Sequence, residues 1–530
     1  MKLTRIVVWI ACGLVLALLG ATESMAQKQG GILRILHRGN PPSLSAHQES
    51  TIDTVSAVSP LYNSLVMYDP AKALEGPDTI IPDLAESWAW SDGGKKLTFK
   101  LRKGVKWHDG RPFTANDVKD TFDIVRGASS KRMKLNPRKL WYANVADITT
   151  NGDHEVTFVL KRAQPALLSF LASGYSPVHP AHIAPDDLRT KAVGTGPFVL
   201  KEYLRDQSVE EVKNPNYFVK GRPYLDGITW IIIRSRPSRV AALQAGQADV
   251  GYPGDTSQAI YEQLKAAAPQ LVFQKVGTQV STNIIVNTRK PPFDDVLLRR
   301  AVNLALDRAS IIKSVYQGLG TPGGANQPPP YGSWGLPADQ LKKLPGFGSP
   351  EENKAEARKL LASKGYGPNN PLKVVVSTRA IAVYVNPATW VIDQLKQVGI
   401  DGTLEQIETG NWHAKVARRD YSIATNLTGV APDDPDSNFY ENYACGSQRN
   451  YSDYCDEEVM KMFDRASSET NHAKRLKLVH EIDAKLQMDV ARPILMHSQD
   501  WFPMWPHVKD LVAHHSIYNF HRYQNVWLDK

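Results

Sequence analysis

Residues 372–377 are an apolar run, residues 388–398 carry apolar side chains at helical spacing, and residues 402–407 return to a strand-like run. Strand, helix and strand in that order make a βαβ unit. Its two strands lie parallel, because the connection crosses over the sheet instead of turning back at its edge, and the crossover is right-handed. No other feature limits the fold as tightly. The second half of the chain must contain an α/β lobe.

The neighbouring punctuation agrees. Residues 294–318 read as helical, with Asp294 and Asp295 at the positive end of the helix dipole and Gly318 as the stop. Ser349-Pro350-Glu351-Glu352 is a capping box with proline at the first helical position, and Gly365 ends that helix. The first half looks different. Residues 31–36 read as a strand; Leu97, Phe99 and Leu101 alternate with polar residues, as do Val156, Phe158 and Leu160 after the hairpin signal Asn151-Gly152. These alternations predict an antiparallel subdomain spanning about 61–185.

At 530 residues the chain holds roughly three domains' worth of sequence, enough to bury real cores. Its 42% hydrophobic content argues against disorder. Lys2 and Arg5, an apolar run from Ile6 to Leu19 and small residues at Ser24-Met25-Ala26 have the order of a cleavable export signal, so residues 1–26 are read as a signal peptide. The net charge of +9 is scattered and forms no dense basic run, so a nucleic-acid partner is not indicated. Past the signal only Cys445 and Cys455 remain, ten positions apart. They are either two buried thiols or, as an oxidising compartment favours, a disulfide contributing about 2–3 kcal/mol.

Motifs for catalysis are missing. Gly332-Ser333-Trp334-Gly335 has the wrong spacing for a nucleophile elbow, and no phosphate loop, His-Glu-x-x-His or Cys-x-x-Cys occurs. His514 and His515 are adjacent and on a strand would face opposite sides, a poor metal pair. The sequence therefore predicts no enzyme, no cofactor and no metal; a secreted hydrolase with a scattered triad is the least favoured reading.

An ordered set of motifs closely resembles the extracellular solute-binding proteins of family 5, which serve peptide, nickel and opine ABC importers. The set comprises Ala85-Glu-Ser-Trp88, Leu97 through Gly104, Trp107-His-Asp-Gly110 and Thr114-Ala-Asn-Asp117. It continues with Val193-Gly-Thr-Gly196-Pro-Phe198, Asn214-Pro-Asn-Tyr217, Ala242 through Asp249 and Arg299 through Asp307. The signature around Asp109-Gly110 and Thr114 is architectural: a turn, then a helix cap. The resemblance implies an α/β, two-lobed periplasmic binding protein (type II, cluster C-like) with an additional mixed α+β subdomain in the first lobe. Lobe I would comprise residues 27–60, 186–277 and 506–530, the subdomain 61–185, and lobe II 278–505. It also implies the disulfide Cys445–Cys455, through the likeness of Asn450-Tyr-Ser452 and Cys455-Asp456 to the loop of dipeptide-binding members.

The same resemblance places ligand contacts in an interlobe cleft. Trp412 falls where family members set an aromatic wall. Arg419, or its neighbour Arg418, falls where oligopeptide-binding members keep an arginine for a carboxylate. Trp141 or Tyr142 would be the aromatic side of the other lobe, and Asn40 lies in a loop bordering the cleft. One departure stands out. The aspartate that pairs with a peptide's ammonium is replaced by Val430 or Ala431, depending on the anchor, and the neighbouring tryptophan by Leu427 or Thr428. Neither aliphatic side chain neutralises a buried charge; Asp433 would have to substitute. The implied function is the periplasmic solute-binding component of an ABC importer, a monomer that takes a peptide or peptide-like solute to an inner-membrane permease and its ATPase subunits. A non-peptide solute (a metal chelate, an opine or a small organic acid) is the alternative that the missing aspartate favours.

Overall fold

Strand Ile32–His37 turns Leu33, Ile35 and Leu36 inward and runs parallel to Gly227–Ile232, in register from Ile32↔Gly227 to His37↔Ile232. The computed structural model describes residues 27–49, 51–519 and 523–530; the export signal read at residues 1–26 lies outside the described residues. Antiparallel strands Ser208–Lys213 and Phe198–Leu204 complete a four-stranded sheet, the centre of a first lobe. Trp230, Phe198, Tyr62 and Tyr523 are buried in its core.

The alternating segments of the first half build a separate antiparallel sheet, in the order Ala85–Ser91, Lys96–Leu101, Glu155–Leu160, Val145–Thr150. Leu97, Phe99 and Leu101 all point to one face, and the rings of Phe99 and Phe158 meet edge to face at 5.9 Å. Gly152, with φ 62, makes the tight turn between the last two strands. Helix Ala115–Arg126 covers the buried face, its start closed by a reciprocal box in which the Thr114 backbone N–H donates to Asp117 Oδ2 at 2.8 Å.

The βαβ unit is present. Leu372–Arg379 and Ile400–Ile407 pair parallel from Leu372↔Ile400 to Arg379↔Ile407, and Ile423–Gly429 joins on the other side, again parallel. The intervening helix is Ala382–Lys396, six residues earlier at its start than the pattern predicts. Pro387 lies inside its second turn, and the N-cap residue Ile381 has no capping side chain, so no local signal marks the true beginning. The helix predicted over 294–318 is two helices, Val296–Ala305 and Arg308–Ser314. Asp295 caps the first and Asp307 the second, and the chain breaks between them because Asp307 bonds the Ser310 N–H instead of continuing the helix. Ser349 caps helix Pro350–Ser363 as predicted, its hydroxyl accepting the Glu352 N–H, and Pro350 takes the first helical position.

Two long strands, Val272–Val286 and Ile494–Met504, pair antiparallel and run through both bodies. Their outer halves give Phe502 and Met504 to the first core; their inner halves give Ile284, Val286, Leu495 and Met496 to the second. Register shifts between Gly277 and Ser281, and Gln279 there has φ 51. A Cβ on Gly277 would overlap His515, Tyr331 and Gln327, so glycine is what lets the two bodies approach at the crossing. Helices Pro435–Asn442, Glu457–Ser468 and His472–Met488 add a satellite core to the second lobe, where Phe439 stacks on Phe463 at 4.8 Å and buried Arg475 pairs with Asp434 and Asp436. No helix among the described residues is long and apolar enough to cross a membrane.

Candidate functional site

Three parallel strands of the second lobe, Leu372–Arg379, Ile400–Ile407 and Ile423–Gly429, point their carboxyl ends the same way. In open α/β sheets such ends form the ligand-facing edge. Here they deliver Arg379 at the end of the first, Trp412 in helix Thr409–Ala417 after the second, and Gly429 through Ala431 at the end of the third. Arg138, Trp141 and Tyr175 of the subdomain and Tyr518 of the C-terminal segment face them. Arg138, Trp141, Tyr175, Ala431, Arg449 and Tyr518 line a tight gap between the lobes.

Guanidinium and aromatic groups dominate the strand ends and the gap beside them. Arg379 lies 4.6 Å from the centre of the Trp412 ring and 4.4 Å from that of Tyr384; it donates to Tyr384 Oη at 2.8 Å and to Asn426 Oδ1 at 3.5 Å. On the opposite wall Arg138 stacks 3.2 Å from the centre of Tyr175 and donates to the Glu49 carbonyl at 2.7 Å. Burial depresses the Arg138 pKa, and Arg449 across the seam pushes the same way. Arg449 is bound to Glu441. Arg492 is buried among carbonyl, hydroxyl and amide oxygens of Thr428, Asn442 and the Arg449 backbone, and burial lowers its pKa too. Arg38, 45% exposed, pairs with Asp53 at 2.8 Å; burial alone would raise the Asp53 carboxyl, but Arg38 beside it outweighs that and holds it low.

Polar contacts close the seam beside the gap. Arg162 of the subdomain donates to Tyr440 Oη and Asp464 Oδ1, each at 2.7 Å, and to Ser468 Oγ at 3.0 Å. Asn519 donates to the Ala431 carbonyl at 2.8 Å and to Glu75 Oε1 at 2.7 Å, while the Asp433 N–H reaches Glu75 Oε2 at 3.3 Å.

The residues singled out from sequence fall into two groups. Trp141 lines the gap, and Trp412 lies beneath Arg379 at the strand ends. Trp412 is fully buried, packed with Ile285, Val416, Tyr421 and Ala424 beneath Arg379, and its indole N–H has no partner; Trp141 stacks on Phe170 at 5.0 Å and its N–H is likewise unpartnered. The others lie elsewhere. Tyr142 turns into the subdomain core and meets Ser176 Oγ at 2.7 Å. Arg419, at φ 60, folds back on its own helix, donating to the Val416 carbonyl at 2.9 Å, and Arg418 is exposed. Asn40 pairs with Asp206 at 2.8 Å. Asp433 accepts the Ser333 N–H at 2.8 Å and lines a polar chamber inside the second lobe, with Val430, Asn438 and Arg492. Ala431 faces the gap with no charge of its own. Cys445 and Cys455 form a disulfide with Cα atoms 4.8 Å apart, and the loop they close carries Arg449 and Tyr451. No group of three or more His, Cys, Asp or Glu that would hold a metal occurs among the described residues.

Sequence reasoning missed Arg138, Arg379, Arg449 and Tyr518. Arg379 was within reach: it ends the first strand of the βαβ unit, the position that the parallel-sheet rule marks. The disulfide loop likewise pointed to Arg449.

Two lobes joined by a pair of shared strands, with a charged and aromatic gap between them, define a solute-binding protein of the type II periplasmic class. The profile of the bacterial extracellular solute-binding proteins, family 5, matches residues 79–450, and the chain belongs to that family. It is 26% identical over 511 residues to the probable di/tripeptide-binding protein 5 of Pseudomonas aeruginosa, covering 89% of each chain. It is also 28% identical over 485 residues to heme-binding protein A of Haemophilus influenzae, covering 85% of this chain and 84% of the relative. Its fold is similar to that of the periplasmic binding protein DppA from Helicobacter pylori in complex with the peptide STSA, with TM-score 0.81, 22% identity and coverage of 95% and 99%.

Proposed function

We propose that this chain captures a small solute between its two lobes and delivers it to an ABC permease of the inner membrane, whose ATPase subunits drive import. The observation that carries the reading is the seam itself: arginine and aromatic side chains from both lobes meet in one narrow gap, and a solute touching both sides would stabilise the closed state by its differential contacts. Membership in a family of solute-binding proteins supports it, and so does the polar seam around Arg162 and Asn519. The work is binding and release, done as a monomer in the periplasm after removal of residues 1–26. We assign residues 27–60, 186–277 and 506–530 to lobe I, 61–185 to its subdomain and 278–505 to lobe II. Trp412 and Trp141 are its aromatic walls.

Relatives named for di- and tripeptides support a peptide or peptide-like cargo. The relative named for heme supports a non-peptide cargo on the same scaffold, and the aliphatic Val430 and Ala431 favour that second reading, because they offer nothing to an ammonium group. The test is native mass spectrometry of protein purified from its own periplasm, paired with small-angle scattering before and after the bound species is stripped. A retained small molecule whose removal expands the particle is the expected result. Identical scattering curves with and without cargo would overturn the importer role.

A further inference from the structure

The polar chamber inside the second lobe is walled by N–H groups that have nothing to bond. Gln279, Asn326, Gln327 and Arg492 all line it, and each is more than nine-tenths buried. Gln279 Nε2, Asn326 Nδ2, Gln327 Nε2 and Arg492 Nε have no hydrogen-bond partner, whereas no side-chain oxygen of the wall is buried without one among the described residues. Neighbours set two of the amide ends. Asn326 Oδ1 accepts from Asn438 Nδ2 at 3.4 Å and Gln327 Oε1 meets His515 Nε2 at 3.4 Å, which leaves the amide nitrogens for the chamber.

Arg492 brings the charge. Its acceptors are Thr428 Oγ1, Asn442 Oδ1 and the backbone carbonyls of Asn442 and Arg449, all uncharged. The two carboxylates of the wall are engaged elsewhere, Asp434 with Arg475 and Asp433 with the Ser333 N–H. A buried guanidinium without a counter-ion is costly, and an anion that accepts its free N–H offsets that cost. Water suits such a wall less well, because it brings two hydrogens that need acceptors of their own. The space is about 20 Å³, room for one water-sized sphere.

We propose that the chamber binds one small monovalent anion of chloride's size, held by Arg492 and the side-chain amides of Gln279, Asn326 and Gln327. The site is distinct from the cargo gap. Thr428 and Val430 turn to the chamber while Gly429 and Ala431 turn to the gap, as the alternation of an extended chain requires. Its wall is braced: buried Asp483 accepts the Ala325 and Asn326 N–H groups at 2.7 and 3.2 Å. Gln279 sits at the register shift of a strand shared by both bodies, and its carbonyl accepts the Val430 N–H at 2.9 Å. The anion therefore ties that crossing strand to the loop at 325–327 and to Arg492, stiffening the wall behind the cleft.

Two measurements on the mature protein test this. Crystals soaked in sodium bromide should show an anomalous peak in the chamber, between Arg492 and the three amides. In solution, chloride should raise the melting temperature by about 1–4 °C over gluconate at equal ionic strength, saturably, since gluconate is too large to enter. Arg492→Gln should abolish the difference. Because removing a buried arginine can also disturb folding, Gln279→Glu provides a second variant: it carries its own carboxylate into the chamber, so its melting temperature should match in the two salts.

A chamber without anomalous signal overturns the inference, whatever other density it holds. So does a bromide peak with no chloride-specific shift, which would mark an adventitious ion only, and so does a chloride shift that persists in both variants. None of these outcomes bears on the importer role, which is judged by the scattering change with native cargo.

Discussion

The guanidinium carbon of Arg379 sits 4.6 Å from the centre of the Trp412 indole, so the end of strand Leu372–Arg379 packs on helix Thr409–Ala417, which follows the neighbouring strand. A cation over an indole is worth about 0.5–2 kcal/mol, and here it orients the arginine. Trp412→Phe should keep the fold and weaken cargo binding about threefold to thirtyfold. Trp412→Ala should do more, because the ring is fully buried: a lowered melting temperature reflecting about 3–5 kcal/mol of lost packing accompanies the weaker binding. Calorimetric titration and thermal unfolding of both variants check this. An affinity unchanged in the phenylalanine variant would remove Trp412 from the site.

Gly429 ends its strand directly against the Tyr518 hydroxyl, and a methyl group there would overlap it. Gly429→Ala should therefore push the C-terminal segment away and cost the closed state about 1–3 kcal/mol. Scattering should give a larger radius of gyration with cargo present than the wild type shows. A radius equal to the wild type's would mean that Tyr518 does not bear on closure.

Closure should also respond to pH. Glu75 of the first lobe and Asp433 of the second meet across the seam, and burial pushes their pKa values up to about 8 and about 7. Their surroundings are His514, lowered to about 4 by burial and so neutral above that pH, together with Asn519, Tyr68 and Asp434. A carboxyl raised in the closed state binds its proton there more tightly than when exposed, so the contribution of these two carboxyls to closure is full below about pH 4 and lost as pH rises through about 7–8, while charging of the buried His514 opposes closure at the acid end. Cargo affinity at pH 5.5 should exceed that at pH 8.5, and Glu75→Gln should flatten the difference. A pH profile of Kd identical in wild type and variant would contradict this.

Reduction of Cys445–Cys455 should affect binding as well as stability. The bridge closes a ten-residue separation and is worth about 2–3 kcal/mol by chain entropy. Because Arg449 rides on that loop, the reduced protein, or Cys445→Ser with Cys455→Ser, should lose cargo affinity severalfold at temperatures where it remains folded. Circular dichroism alongside calorimetric titration separates the two effects.

The fold was legible because its punctuation is local. The βαβ order, the capping box at Ser349 and the Asn151-Gly152 hairpin each depend on residues a few positions apart. The split at Asp307 was not legible, because an aspartate inside an apolar helical pattern reads equally as a solvent-facing residue. The site was harder still. Trp412 and Trp141 stand out as large aromatic groups near the ends of elements. Arg138 and Arg379 are separated in sequence by the end of the subdomain, the rest of the first lobe and strand Val272–Val286, and no local pattern links them. Arg419 illustrates the opposite error: an arginine in the right stretch whose left-handed backbone turns it back to cap its own helix.

The strands Val272–Val286 and Ile494–Met504 belong to neither body alone, since each supplies side chains to both cores. A fragment carrying one lobe would present half a sheet with a raw apolar edge, so the halves are not separable modules that could be expressed apart or exchanged with those of another protein. Heating should accordingly yield one cooperative endotherm, with both lobes melting together.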